Sequence, residues 1–193
     1  VRFVDVNGDG LITVDDQTVL GSPIPKYTYG LSVNTGYKNF DLSLFFQGNG
    51  KYMVYNNTYR LMMGRYGLNK HDDILNSWTS ENTNTDIPRL QDNTRHDNLI
   101  VLSDRWLQDA SYFRLQTASL GYILPENFTN KLFISNLRVY FTVQNVYVLT
   151  KYKGFDPEVG KSVSWKPDPL DMGVDNGTYP LPRIYMAGFN LTF

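Results

Sequence analysis

The 193-residue chain contains no cysteine, which removes disulfide scaffolds, thiolate zinc sites and cysteine nucleophiles from consideration. It also lacks an excess of either charge: 18 Lys plus Arg stand against 19 Asp plus Glu, a formal net charge of −1. That balance offers no basic stripe of the kind a nucleic-acid partner requires. No apolar run approaches the roughly 18 residues of a spanning helix, and mean hydropathy is −0.36. Membrane strands stay open, because they alternate and look polar on average. Low-complexity tracts and internal repeats are missing too. The sequence opens at Val1 with neither an initiator Met nor a signal peptide, which reads as a piece of a longer polypeptide.

What the chain does hold is aromatic side chains, 15% of all residues, and many fall in alternating segments. Tyr27, Tyr29, Leu31, Val33 and Tyr37 alternate with Thr28, Gly30, Ser32, Asn34 and Lys38. Phe40, Leu42, Leu44 and Phe46 alternate with Asp41, Ser43, Phe45 and Gln47. The same holds for Leu137, Val139, Phe141 and Val143, and for Tyr185, Ala187, Phe189, Leu191 and Phe193. A period of two is the mark of a strand with unlike faces. The segment 112–124 changes phase between Leu115 and Ala118, which predicts a β-bulge near 116–118. About five strands of roughly ten residues result, the length a tilted strand needs to cross a bilayer.

The connections alternate in length. A two-residue turn, Lys38-Asn39, is followed by a polar interval at about 49–110, a moderate link at 125–136 and a second long interval at 150–183. Turns at one rim and loops at the other describe an up-and-down membrane barrel. A structureless loop of this length is out of place in a compact soluble domain. Within the first interval, 69–78 predicts a short helix bringing Leu75 and Trp78 near His71 and Ile74.

Alternation alone does not say which face meets which solvent. In a soluble sandwich the apolar faces form the core; in a membrane barrel they meet lipid, and the polar faces line the lumen. Aromatics at strand ends (Tyr27, Tyr29, Tyr37, Phe40, Tyr185, Phe193) and small or polar residues between them (Gly30, Ser32, Asn34, Ser43, Thr142, Asn190) favour the barrel. The alternative is a soluble all-β carbohydrate-binding module with a calcium-stabilised loop.

The most chemical motif lies at the start. Asp5, Asn7, Asp9 and Gly10 match positions 1, 3, 5 and 6 of the EF-hand calcium loop, with Ile12 at 8 and Asp16 at 12. Alternate side-chain oxygens converge there, Gly10 permits the sharp turn, the Leu11 carbonyl adds a hard ligand and Thr13 is placed to hold a water. The expected metal set is therefore Asp5, Asn7, Asp9, Leu11 and Asp16, with Ca²⁺ ahead of Mg²⁺ and a structural role. Position 12 is Asp rather than Glu, and only four residues precede Asp5, too few for an entering helix. Thr13-x-x-Asp16 is a capping-box variant that predicts a short exit helix. The competing reading is an Asn-Gly/Asp-Gly turn with solvated acids.

Catalytic readings are weak, and no catalytic residue is expected. His71 and His96 each precede an Asp (Asp72, Asp97), yet no Ser or Cys elbow accompanies them, and they read as solvated loop histidines. Asp72-Asp73 would serve glycoside hydrolysis only in a geometry that sequence does not show. Gly48-Asn49-Gly50 lacks the Gly-Lys-Ser/Thr of a phosphate loop. The loop aromatics Tyr52, Tyr55, Tyr59, Tyr66, Trp78, Trp106 and Trp165 suit sugar stacking or packing against a lid, loop packing being the commoner fate.

FVDVNGDGLITVDDQTVLGSPIPKYTYGLSVNTGYKNFDLSLFFQGNG, WTSENTNTDIPRL, ASYFRLQTASLGYILPENF, LRVYFTVQNVYVLTKYKGFDPEVG and YPLPRIYMAGFNLTF together span residues 3–193 with gaps only in the long loops. In these stretches the chain resembles the C-terminal segment of SusC/RagA-type TonB-dependent outer-membrane transporters of Bacteroidetes, whose pattern includes the acidic loop. The resemblance implies an all-β fold: about five C-terminal antiparallel strands of a large transmembrane up-and-down β-barrel with long extracellular loops. Such barrels have about 22 strands and a plugged lumen. It further implies a SusD-like surface lipoprotein as lid, TonB contact through an absent N-terminal part, and import of glycan or peptide. Phe189, Leu191 and Phe193 resemble the signal read by the barrel-insertion machinery, which is compatible with plain packing against outer-membrane lipid. With the final strand ending in the periplasm of a Gram-negative cell, parity puts Lys38-Asn39 and 125–136 on the periplasmic rim. The long intervals then lie outside the cell. Residues 1–26 form an extracellular loop carrying the acidic motif, and 27–193 the strands and loops of the barrel.

Overall fold

A computed structural model describes residues 3–64, 69–90, 103–129, 134–160 and 172–193. The strands, in chain order, are β1 (Tyr27–Tyr37), β2 (Phe40–Gly50), β3 (Met53–Asn56), β4 (Leu107–Asp109), β5 (Tyr112–Ile123), β6 (Asn136–Thr150), β7 (Val174–Asp175) and β8 (Ile184–Thr192). Short helices α1 (Asn57–Gly64) and α2 (Glu126–Thr129) and 3-10 turns at Val14–Asp16, Asp72–Asn76 and Asp104–Trp106 complete the elements. They divide between two units. One comprises Val1–Ile24, Met53–Gln108 and Lys153–Thr178; the other Pro25–Tyr52, Asp109–Tyr152 and Tyr179–Phe193.

The second unit is an antiparallel sheet in the order β1-β2-β5-β6-β8. All five long strands expected from alternation are present, and β2 and β6 run further than the alternation indicated. Lys38-Asn39 forms the two-residue turn, closing the Tyr37–Phe40 pair, with Lys38 at φ 53. Because paired residues share a face, the register settles the sidedness. Leu31 opposes Phe46 and Val33 opposes Leu44; Leu44 opposes Ala118; Ala118 opposes Val143; Val143 opposes Tyr185. One face is therefore apolar across every strand.

The phase change in β5 is a bulge. Phe45 pairs Thr117 and Phe46 pairs Leu115, leaving Gln116 as the extra residue. That insertion lets Leu115 and Ala118, three apart, both reach the apolar face. On the far side, Leu115 pairs Tyr147 and Thr117 pairs Gln144, so Asn145 and Val146 oppose Gln116. Asn145 takes φ 53 there, and its Nδ2 donates to the Pro182 carbonyl at 2.7 Å.

The apolar face has no cover among the described residues: Leu31 is 55% exposed, Phe141 48% and Phe189 66%. A patch of this extent is foreign to a monomeric soluble surface. Aromatics gather at both of its ends. Phe46 stacks on Phe113 at 5.3 Å, and Tyr29 reaches over Gly48 to donate to the Tyr112 carbonyl at 2.8 Å. At the other end Phe40 packs on Tyr122 at 4.6 Å. Tyr27 to Tyr37 covers 11 residues, hence ten rises of about 3.3 Å, roughly 33 Å along the strand. At a tilt of about 40° this gives roughly 25 Å of height, the apolar band of a membrane barrel.

The other face is polar and cross-linked. Ser43 donates to Asn34, Ser119 and Thr142 share a bond of 2.7 Å, and Gln47 donates to Gln116 at 3.3 Å. Arg138 forms a two-pronged ion pair with Asp41, its Nε donating at 2.9 Å. The pair passes over Gly121, where a Cβ would lie 2.3 Å from the Asp41 carboxylate.

The first unit carries a small conventional core. Met63 (1% exposed), Ile87 and fully buried Trp106 pack together with Tyr55, Tyr59 and Ile74 against them. β3 pairs in parallel with β7 through Tyr55–Val174 and Asn56–Asp175, and β4 flanks β3. The helix expected at 69–78 is a 3-10 turn of five residues, Asp72–Asn76. His71 Nδ1 caps its start by accepting from Asp73 N–H, and the Ser77 N–H closes its end on the Ile74 carbonyl. Ile74 points to the core, whereas Leu75 is 85% exposed.

Candidate functional site

The acidic loop folds around its own backbone amides. Asp5 accepts from Gly8 N–H at 2.6 Å and Gly10 N–H at 2.8 Å; Asn7 Oδ1 accepts from Asp9 N–H at 2.9 Å; Asp9 Oδ1 accepts from Leu11 N–H at 2.8 Å. Gly8 (φ 79) and Gly10 (φ 81) supply the left-handed turns that aim these amides inward. Asp16 closes the loop from the other side. It accepts from Val6 N–H at 2.8 Å and Thr13 N–H at 2.7 Å, while Thr13 Oγ1 accepts from Asp15 N–H at 3.2 Å. The capping box and its exit turn are thus present, as Val14–Asp16. The Thr13 and Val6 amides hold the Asp16 carboxyl below the ordinary carboxylate range.

The donor set is of the right chemistry for a hard cation, all oxygen and set by an exposed loop. The loop gathers Asn7 against Asp9, and Asp16 against residues 6, 7 and 13. It does not bring Asp5, Asp9 and Asp16 into a carboxylate trio within 4.8 Å. Among the described residues the trio that meets that spacing is His71, Asp72 and Asp73. Its geometry is already used. The Asp73 carboxylate takes the Tyr59 hydroxyl at 2.6 Å and the Lys153 ammonium at 2.9 Å, and His71 Nδ1 accepts from Asp73 N–H at 3.1 Å as the cap of the 3-10 turn. The Tyr59 and Lys153 bonds hold the Asp73 carboxyl low; burial, then Asp73, pushes the Tyr59 hydroxyl up. The same His71 Nδ1 lies 2.8 Å from the Asp72 carboxylate.

Tyr59 and Trp106 pack in the loop core and Tyr52 is buried, as expected of loop aromatics, while Trp78 remains 40% exposed. Tyr66, His96, Asp97 and Trp165 lie outside the described residues. Lys153 was not identifiable from the sequence, since 80 positions separate it from Asp73. Asn56 had a readable signal: it caps α1 by accepting from Tyr59 N–H at 2.9 Å, three residues on. Phe189 (66% exposed) and Leu191 (40%) sit on the apolar face opposite Val139 and Leu137, and Phe193 is 86% exposed beyond the end of β8.

No family model matches the chain. Individual relatives do. It is 35% identical over 192 residues to TonB-dependent receptor P3 of Formosa agariphila, covering 99% of this chain and 19% of that protein. It is 30% identical to TonB-dependent receptor SusC of Bacteroides thetaiotaomicron, covering 99% of this chain and 17% of that protein. Its backbone matches a solved structure of the RagAB peptide transporter with a TM-score of 0.76 at 31% identity, over 95% of this chain and 19% of that one. The chain thus spans about a fifth of the length of these relatives. Sequence shared along nearly its whole length, backbone shared likewise and a sheet with one uncovered apolar face make this chain a member of the SusC/RagA-type TonB-dependent receptors, a part of their transmembrane barrel.

Proposed function

We propose that the whole protein imports a nutrient, glycan or peptide, through the outer membrane of a Gram-negative cell at the expense of energy delivered by TonB. A SusD-like surface lipoprotein covers its mouth, and its role is not catalytic. The observation that carries this reading is the unlike pair of sheet faces. Hydrocarbon is the solvent that suits Leu31, Phe141 and Phe189, and water the one that suits Asp41, Arg138, Ser119 and Thr142. The soluble-module reading needs Phe40, Leu44, Phe141 and Leu191 in one dry interior. Instead Phe40 is 50% exposed, Phe141 48% and Leu191 40%. In the cell, Lys38-Asn39 and the C-terminus face the periplasm, and the long intervals and the Asp5–Asp16 loop lie outside. Phe189, Leu191 and Phe193 are the strand read by the insertion machinery.

Two experiments test the reading. The whole protein, purified in detergent, is expected to change gel mobility on boiling, and uptake by cells carrying it is expected to stop when TonB is deleted. A monodisperse protein in plain buffer, or uptake indifferent to TonB, would overturn it. The acidic loop takes Ca²⁺ through Asp5, Asn7, Asp9, Asp16 and the Leu11 carbonyl, the carboxylates drawing closer on its arrival and stiffening the loop. Millimolar Ca²⁺ is then expected to raise the melting temperature of the whole protein over EDTA, more than Mg²⁺ does. Equal curves in all three conditions would remove the ion.

A further inference from the structure

Among its described residues the first unit exposes one indole, that of Trp78, on a stiff frame. The backbone N–H of Trp78 donates to the backbone carbonyl of Ile87, itself part of the core, at 2.9 Å. The turn that follows is locked: Thr79 N–H donates to Asn82 O at 3.1 Å, Asn82 N–H to Thr79 Oγ1 at 2.9 Å, and Asn82 Nδ2 to Asn76 O at 3.1 Å. The ring sits between two hollows of about 370 and 420 Å³, both also lined by Arg89. The first continues into a third, of about 560 Å³, through shared Asp86, Ile87, Asp104 and Arg105, and that one reaches Tyr59, Asp73 and Lys153. These volumes lie in the range of small-ligand sites.

Among the described residues the charges along this trough cancel. Asp73, Asp86 and Asp104 face Arg89, Arg105 and Lys153, three of each sign, and Asp73 is already matched to Lys153. A trough without net charge has no reason to select an ion. It is dense instead in planar carboxylate and guanidinium groups, which bind vicinal hydroxyls two at a time through charge-assisted bonds. The Ser103 hydroxyl, buried on the same wall, has no partner among the described residues and adds one more donor and acceptor. A flat aromatic face beside such groups suits a ligand with an apolar C–H face and a polar rim. We infer that the Trp78 trough is a binding subsite for a neutral saccharide, the indole stacking on a sugar ring and Asp86, Arg89 and Arg105 holding its hydroxyls. The inference rests on the import reading above and names the cargo class at this site.

The test uses the whole protein in detergent, applied to an array of neutral oligosaccharides, acidic oligosaccharides and neutral oligopeptides. Neutral saccharides are expected to bind, Trp78→Ala to weaken the best of them by about tenfold or more, and Trp78→Phe to restore much of the loss. Asp86→Asn and Arg105→Gln are expected to weaken it by smaller factors. Binding of peptides or acidic glycans alone would overturn the inference. So would undiminished saccharide binding by Trp78→Ala, or a lowered melting temperature of that variant with unchanged binding, which would make Trp78 a packing residue against the rest of the chain. Binding in detergent does not require TonB, so failure here is distinguishable from failure of the import reading.

Discussion

Trp106 and Phe189 are both large aromatic side chains, one wholly buried in the loop unit and the other 66% exposed on the sheet. In the loop unit, aromatics behave as they do in water: Trp106, Tyr59 and Tyr55 turn inward and pack with Met63 and Ile87. In the sheet the order is reversed, with uncovered apolar side chains on one face and hydrogen-bonded serines, threonines and an ion pair on the other. One polypeptide thus obeys a single rule against two solvents, and the burial pattern of each unit reports which solvent it was built for.

The sharpest way to break the comparison is to remove one large side chain from each unit. Trp106→Ala is expected to cost about 3–5 kcal/mol, confined by hydrogen exchange to the loop-unit peptides, whereas Phe189→Ala leaves those peptides unchanged. Equal effects of the two substitutions would mean that both residues sit in one core. A charge on the apolar face comes next. Phe141→Arg is expected to cost about 2–4 kcal/mol in liposomes, as lipid-facing cations at mid-depth do, read as a shift of the urea midpoint. Tolerance of Arg there would argue for water on that face. On the opposite face, Arg138→Ala is expected to change stability by no more than about 1 kcal/mol, because the pair is partly exposed.

The smallest effect is the local one in acid. Asp16 and Asp73 titrate below their unfolded values, so their stabilisation is complete above about pH 4 and is lost as pH falls through the depressed folded values. Amide exchange around residues 6–16 and 71–76 is expected to accelerate there before the sheet responds. Simultaneous loosening of both units would contradict it.

Much of the sheet was legible because a period of two is a property of neighbouring residues. The phase slip from Leu115 to Ala118 put the bulge near 116–118, where the pairing register finds it at Gln116, and the spacing of Thr13 and Asp16 gave the cap. The loop unit was mostly illegible, for the opposite reason. β3 and β7 are short and pair across more than a hundred residues, Tyr55 against Val174, so no local pattern specifies them. α1, eight residues long, is held by Met63 against Trp106 rather than by intrinsic propensity. The Trp78 trough is assembled from segments that only the tertiary fold brings together.

The missing side chain of Gly121 has a mechanical consequence. β2 and β6 are not neighbours in the sheet, for β5 runs between them. Through the gap left by one absent methyl group, Asp41 and Arg138 clasp hands over the intervening strand. Three ribbons are thereby braced against sliding at a single rung. Any side chain placed at Gly121 would be felt first in the two outer ribbons, not in the one that carries it.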